Sequence, residues 1–264
     1  MASINKLLSI MATLRDPQNG CDWDKAQTFA TIVPHTLEEA YEVADAIERE
    51  NWSDLKDELG DLLFQIVFYS QLGREENQFD FDEVVGAICD KLTRRHPHVF
   101  GPKDAEGQPL MEPDWEGIKA KERAGKNPST QPMSVLDGVT QGLPALTRAH
   151  HLQKRCARVG FDWSTVPPVI DKVREEIEEI EQELVQVHID QARVDEEMGD
   201  LLFSVVNLAR HLGTDAEQAL RHANQKFERR FRHVEKKLRD DGKNIQQCQL
   251  DELESTWQSV KKRE

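Results

Sequence analysis

The spacing of apolar residues predicts helices along most of the chain. One apolar series recurs every three or four positions, as one face of a helix requires: Leu55, Leu59, Leu62, Ile66 and Tyr69. A later series has the same period: Val169, Val173, Ile177, Ile180, Leu184 and Val187. No segment shows sustained alternation of apolar and polar residues between hairpin turns, which half-buried strands would show. We therefore predict an all-α fold of helix pairs packed as bundles.

The start of the first acidic helix is predicted near Pro34. Proline is frequent in the first turn of a helix, because backbone N–H groups there have no acceptor within the helix and the N–H that proline lacks is not needed. Thr36, followed three residues later by Glu39, matches the spacing of a capping box.

The two halves of the chain repeat the same sequence blocks in the same order. "GCDWDK" at 20–25 matches "GFDWST" at 160–165, and "ELGDLLFQIV" matches "EMGDLLFSVV". Six of the eleven prolines fall between Pro102 and Pro144, which indicates a linker containing one helix around Trp115–Arg123. We predict tandem duplicated helical-bundle domains, residues 1–123 and, with the linker, residues 124–264.

Composition narrows the class of protein. The formal charge of −15 and the lack of a basic stripe argue against binding to nucleic acid. The four cysteines are scattered, which predicts reduced thiols and no disulfide framework. No apolar run reaches the length of about 18 residues that a membrane span needs, and the N-terminus does not resemble a signal peptide. The sequence thus predicts a cytoplasmic protein with no membrane or nucleic-acid partner.

Each half carries two acidic pairs at helical spacing. Residues three apart share a helix face, and antiparallel packing of the two helices would bring both pairs to one place. One such pair is usually a solvated helix face, but two pairs in each of two repeats favour a metal site. The predicted ligands are Glu39, Glu42, Glu58 and Asp61 in the first half, and Glu176, Glu179, Glu197 and Asp200 in the second.

The ligand types indicate which metal this would be. Neither cluster contains histidine or cysteine, so zinc is disfavoured, and the Glu-x-x-His motif of di-iron bundles is absent. Carboxylate oxygens suit Mg²⁺, with Mn²⁺ as a substitute.

The order of EExxE and ExxD, together with "GCDWDKAQTF" and "RRHPHVFG", resembles the MazG-type nucleoside triphosphate pyrophosphohydrolases over essentially the whole chain. The resemblance implies an all-α, Mg²⁺-dependent homodimeric enzyme. It also implies cleavage of nucleoside triphosphates (NTPs and dNTPs, with broad base tolerance) to the monophosphate and pyrophosphate, through attack of a metal-activated water on the α-phosphorus.

Carried over by motif, the resemblance assigns catalysis and metal binding to Glu176, Glu179, Glu197 and Asp200. The first-half acids form a second, weaker set. The resemblance assigns nucleotide contacts to Lys172, Glu175, Arg193, Glu196, Lys226, Arg230 and Trp257.

The two repeats differ in charge around these acids. Four residues before Glu176 lies Lys172, where the first half has His35; four residues before Glu197 lies Arg193, where the first half has Asp54. Because an acid opposes binding of a triphosphate, we expect the second half to be the principal catalytic site.

Several alternatives stay open at this point. The chain could be a catalytically silent binding protein, or a specialised dNTP or alarmone hydrolase on the same scaffold. Trp257 could stack on a base or close the core, and Trp23 and Trp163, in the paired Asp-Trp turns, could line a pocket or be structural.

Overall fold

The computed structural model describes residues 3–104, 117–118, 122 and 134–262. Within these residues the regular secondary structure is helical and no β-strand is present, which confirms the all-α prediction. The chain divides into two compact units, Met1–Lys126 and Asn127–Glu264. The predicted domain boundary at 123/124 and most of the predicted helix Trp115–Arg123 lie outside the described residues. None of the described helices has the length and apolar character to cross a membrane.

The first unit is organised around one long helical hairpin. Its helices are α1 (Ile4–Leu14), α2 (Asp22–Ala26), α3 (Phe29–Glu48), α4 (Trp52–Glu75), α5 (Phe81–Arg95) and α6 (Pro97–Phe100). Helices α3 and α4 pack along each other, and a three-residue turn joins them, so they run antiparallel. Asn51 caps α4 by accepting a hydrogen bond from the Asp54 N–H.

The second unit repeats this arrangement. Its helices are α7 (Ala145–Ala157), α8 (Val166–Leu184), α9 (Gln191–His211), α10 (Ala216–Asp240) and α11 (Leu250–Lys261), with a 3₁₀ turn at Ile245–Gln247. Helices α8 and α9 form the hairpin, α7 packs on α9, and α10 packs on α11.

A compact apolar cluster holds the first hairpin in place. It consists of Met11, Ile32, Val67, Phe68 and Leu72. Phe68 is fully buried, its ring meets Phe64 edge-on at 5.9 Å, and the Arg15 guanidinium lies 5.3 Å from its centroid. This packing fixes α3 against α4 and therefore fixes the acids that the two helices carry.

The predicted start of α3 is wrong. The helix begins at Phe29, and Thr28 and Thr31 form its capping box, so Pro34 lies inside the helix and not at its start. Thr36 is also inside it and donates its hydroxyl to the Ile32 carbonyl at 3.2 Å. Burial of Ile32 and packing of Phe29 on the core stabilise the additional helical turn. This stabilisation outweighs the loss of the backbone hydrogen bond that Pro34 cannot donate.

Candidate active site

Three acids of the first hairpin converge on one point. One carboxylate oxygen each of Glu39, Glu58 and Asp61 lies within 4.8 Å of the others. Partial burial raises the pKa of Glu39 and of Glu58, and neighbouring carboxylates raise both further. Glu42, the fourth predicted ligand, is not one of the three, but it lies close enough to contribute to the raised pKa of Glu39. The cluster therefore gathers negative charge that a cation would neutralise.

The second hairpin gathers the equivalent acids. Oxygens of Glu176, Glu179 and Glu197 lie within 4.8 Å of one another, and Glu176 is only 3% exposed. Burial, followed by the hydrogen bond with Glu176, raises the pKa of Glu179. Asp200, the fourth predicted ligand, lies outside this trio but lines the same cavity as Glu176. Each repeat thus brings together three of its four predicted ligands.

Two of the predicted substrate-binding cations touch the second cluster. Lys172 Nζ lies 2.7 Å from Glu175 and 2.8 Å from Glu176, and both carboxylates raise the pKa of the lysine. Arg193 lies 3.3 Å from Glu183 and 3.7 Å from Glu197. The positive charge beside this cluster is therefore held in place by the acids themselves.

The first cluster has a different surrounding charge. His35 lies 3.8 Å from Glu38 and meets the Trp23 ring edge-on at 5.8 Å, while Asp54 pairs with Arg49 at 3.1 Å. In the repeat, Arg95 corresponds to Arg230.

A glutamate holds this arginine of the first unit. Arg95 binds Glu122 at 2.6 Å, and with Arg94 it lowers the pKa of Glu122 to about 2. Arg95 is therefore engaged by an acid of its own unit, as Lys172 is in the second unit.

The remaining predicted contacts lie elsewhere in the second unit. Glu196 is exposed on α9 and adds to the raised pKa of Arg193. Lys226 and Arg230 lie on α10. Trp257 on α11 is partly buried, packs on the cluster of Val234, Leu238 and Val260, and lies 5.2 Å from the Phe227 ring. Of these four residues, none lines the cavity beside Glu176. Within one chain, Trp257 therefore packs in the core of the second unit.

A cavity of about 760 Å³ opens next to the second cluster. Lys172, Glu176 and Asp200 line it on the side of the cluster, and the ion pair of Asp162 with Arg210 also lines it. The apolar part includes Trp163, so the tryptophan of the second Asp-Trp turn lines a pocket. Three polar residues that the sequence analysis missed also line it: Gln153, Ser204 and Asn207. No sequence signal marks these three residues, because they reach the cavity from two helices, α7 and α9, that are far apart along the chain.

The turn before Trp163 is tied to α9. Asp162 accepts hydrogen bonds from Arg210 at 2.7 Å and His211 at 2.9 Å. Burial alone would raise the pKa of Asp162, but these two partners lower it. They hold the loop, and with it Trp163, against the cavity.

Comparisons with known proteins identify the family of the chain. The model of the MazG nucleotide pyrophosphohydrolase domain matches residues 27–100 and again residues 164–235. A nucleoside triphosphate pyrophosphohydrolase of Escherichia coli (strain K12) is 57% identical over 264 residues, covering 100% of this chain and 99% of the relative. The Thermotoga maritima nucleoside triphosphate pyrophosphohydrolase/pyrophosphatase MazG is 40% identical over 97% of this chain and 94% of its own length. The chain therefore belongs to the MazG nucleotide pyrophosphohydrolase family, with one copy of the domain in each half.

Proposed function

We propose that this chain hydrolyses nucleoside triphosphates, with broad base tolerance, to nucleoside monophosphates and pyrophosphate. The observation that carries the proposal is the position of Glu176. This buried acid belongs to the carboxylate cluster, pairs with Lys172, and lines a cavity large enough for an organic ligand. The names of the two relatives support the same reaction.

The acid clusters fit a hard divalent cation. Three carboxylate oxygens within 4.8 Å, with no histidine or cysteine among them, match the donor set of Mg²⁺ or Mn²⁺. Bound there, the metal would supply a polarised water and shield phosphate charge. Glu176, Glu179 and Glu197 would hold the metal, and Asp200 on the cavity wall would complete the set.

The chain's own cations would orient the substrate. Lys172 and Arg193 now neutralise acids of the cluster. With a divalent cation on those acids, both side chains would be free to contact the leaving phosphates and would neutralise the charge that develops there. The proposed attack is on the α-phosphorus, in line with that leaving group.

We propose the second unit as the principal site. The second unit has two cations beside its acids, Lys172 and Arg193. The corresponding positions of the first unit hold His35 and Asp54. The second unit also has the large cavity beside its acids.

The test is pyrophosphate release from the eight common NTPs and dNTPs with Mg²⁺. The matched variants are Glu176→Ala and Glu39→Ala, which remove the same repeat position from each unit. We expect Glu176→Ala to lose at least about 100-fold in kcat, in the range known for loss of transition-state charge stabilisation, and Glu39→Ala to keep most activity. The reverse result would move catalysis to the first unit. Release of orthophosphate would indicate attack at the γ-phosphorus, and no product from any nucleotide would favour a binding protein.

We also propose that the chain acts as a homodimer. Both hairpins leave the same stripe of apolar residues exposed, at matching repeat positions. On α4 these are Leu59, Leu63 and Ile66, and on α9 they are Met198, Leu202 and Val205, each 38–52% exposed. A second copy of the chain could bury an apolar stripe of this kind on each central hairpin.

A further inference from the structure

The second-unit cavity contains a buried hydrogen-bond acceptor that has no partner. Gln153 is 7% exposed and donates its Nε2 to the Phe203 carbonyl at 2.8 Å. Its Oε1 is buried and accepts no hydrogen bond within the described part of the chain. A buried amide oxygen is normally satisfied, so this atom is suited to a donor that a ligand brings.

The rest of the cavity wall suits a flat heterocycle. Phe161, Trp163 and Phe203 contribute aromatic surface, and Asn207 contributes a second amide. The Asn207 Oδ1 already accepts hydrogen bonds from Arg210 Nε at 3.1 Å and Nη2 at 2.7 Å. Aromatic walls with a few fixed polar groups are typical of pockets for small organic ligands.

Comparison of the repeats indicates why the second unit has room for such a space beside its acids. Counted from Glu58 and Glu197, Phe68 and Asn207 occupy the same position, as do Gln65 and Ser204. In the first unit the Phe68 ring is fully buried and fills the interior. A cavity of about 100 Å³ in that unit is lined by other residues and by none of the cluster acids. The smaller Asn207 and Ser204 leave the corresponding space open in the second unit.

We propose that this cavity receives the nucleoside part of the substrate, that Gln153 Oε1 accepts a hydrogen bond from the base, and that Phe68 denies the first unit the same pocket. This inference rests on the proposed function and adds the residues that contact the nucleoside. Adenine and cytosine offer an amino group, guanine an amino group and N1–H, and uracil N3–H. One acceptor therefore serves all four bases, which agrees with broad base tolerance.

The test compares UTP with N3-methyl-UTP, which lacks the only N–H donor of uracil. We expect wild-type kcat/KM to be about tenfold lower for the methylated substrate, the upper range of one neutral hydrogen bond. The Gln153→Leu variant should have the same kcat/KM for UTP and N3-methyl-UTP. Gln65→Leu is the matched control, because Gln65 is also a buried glutamine with an unpartnered Oε1, but lies in the first unit. It should discriminate as wild type does.

Equal rates for the two substrates in wild type, or unchanged discrimination in Gln153→Leu, would overturn the inference, since the second result would indicate a steric clash. Hydrolysis of neither substrate would overturn the proposed function instead. Binding of UMP and N3-methyl-UMP, measured by calorimetry, then decides the inference separately: equal affinities refute it, and weaker binding of the methylated nucleotide supports it.

A second variant tests the open space directly. Asn207→Phe copies the first unit and should raise KM at least tenfold for every nucleotide, while affinity for Mn²⁺ alone stays unchanged. Circular dichroism checks that the variant folds. A folded Asn207→Phe protein with wild-type KM would show that the nucleoside does not enter this cavity.

Discussion

Individual carboxylates of the clusters carry a stability cost that depends on pH. The pKa of Glu39 and of Glu58 is raised above its ordinary value, first by burial and then by neighbouring acids. A raised carboxyl pKa means that folding favours the protonated form. The resulting stabilisation is fully present below the unfolded pKa of about 4.3 and is lost as pH rises through the folded pKa. At neutral pH, with no cation bound, these acids therefore weaken the fold.

Replacing Glu39 by glutamine should therefore stabilise the metal-free protein. In chelator at pH 7 we expect a higher unfolding temperature for Glu39→Gln than for wild type, because a neutral amide ends the repulsion. Below about pH 4.3 the wild-type side chain is protonated in both states, so the difference should disappear. Thermal melts across this pH range measure it. A lower melting temperature for the variant at pH 7 would mean that the carboxylate is already compensated.

At the scale of single elements, helix α9 exposes a stripe of apolar residues that no other part of the described chain covers. Leu202, at its centre, is 52% exposed although it lies in the middle of a long helix. Burying a leucine side chain is worth about 1.5–3 kcal/mol. A dimer that covers the stripe would gain this at each copy.

Leu202→Glu should therefore dissociate the proposed dimer. We expect the dimer dissociation constant to rise at least about tenfold, since each 1.4 kcal/mol is a factor of ten. Light scattering coupled to gel filtration measures the change. Leu250→Glu is the control: this leucine is 78% exposed at the start of α11 and lies outside the stripe. Equal masses for wild type and Leu202→Glu at all concentrations would remove α9 from the interface.

At the scale of the whole molecule, the duplication predicts two separate cation sites. Each unit brings three carboxylates together, so each should bind Mn²⁺ by itself. Calorimetric titration of wild type should show both sites. Glu39→Ala and Glu176→Ala should each remove one of them, and the double variant should bind neither. An ion that binds only the folded state at about 100 times its Kd adds about 2.7 kcal/mol of stability. A single class of sites, lost in one variant alone, would show that one cluster is not a metal site.

Several features of this protein can be predicted from local sequence alone. Helical periodicity and the spacing of the acids depend on neighbours a few residues away, and the duplication is visible when the two halves are compared, so the all-α fold and the family follow from the sequence. The charge difference between Lys172 and His35 is equally local. The start of α3 was missed because burial of Ile32 and Phe29 outweighs the signal of Pro34.

Only the tertiary structure decided which residues share a site. Gln153 comes from α7, Trp163 from a turn and Asn207 from α9, and no pattern along the chain predicts that they line one cavity. The same holds for Phe68, which is buried in the core of the first unit at the repeat position of Asn207. Periodicity specifies the face of a helix, but the volume between faces depends on side chains that packing brings together from distant segments. The acids were therefore identified from sequence, and the pocket beside them was not.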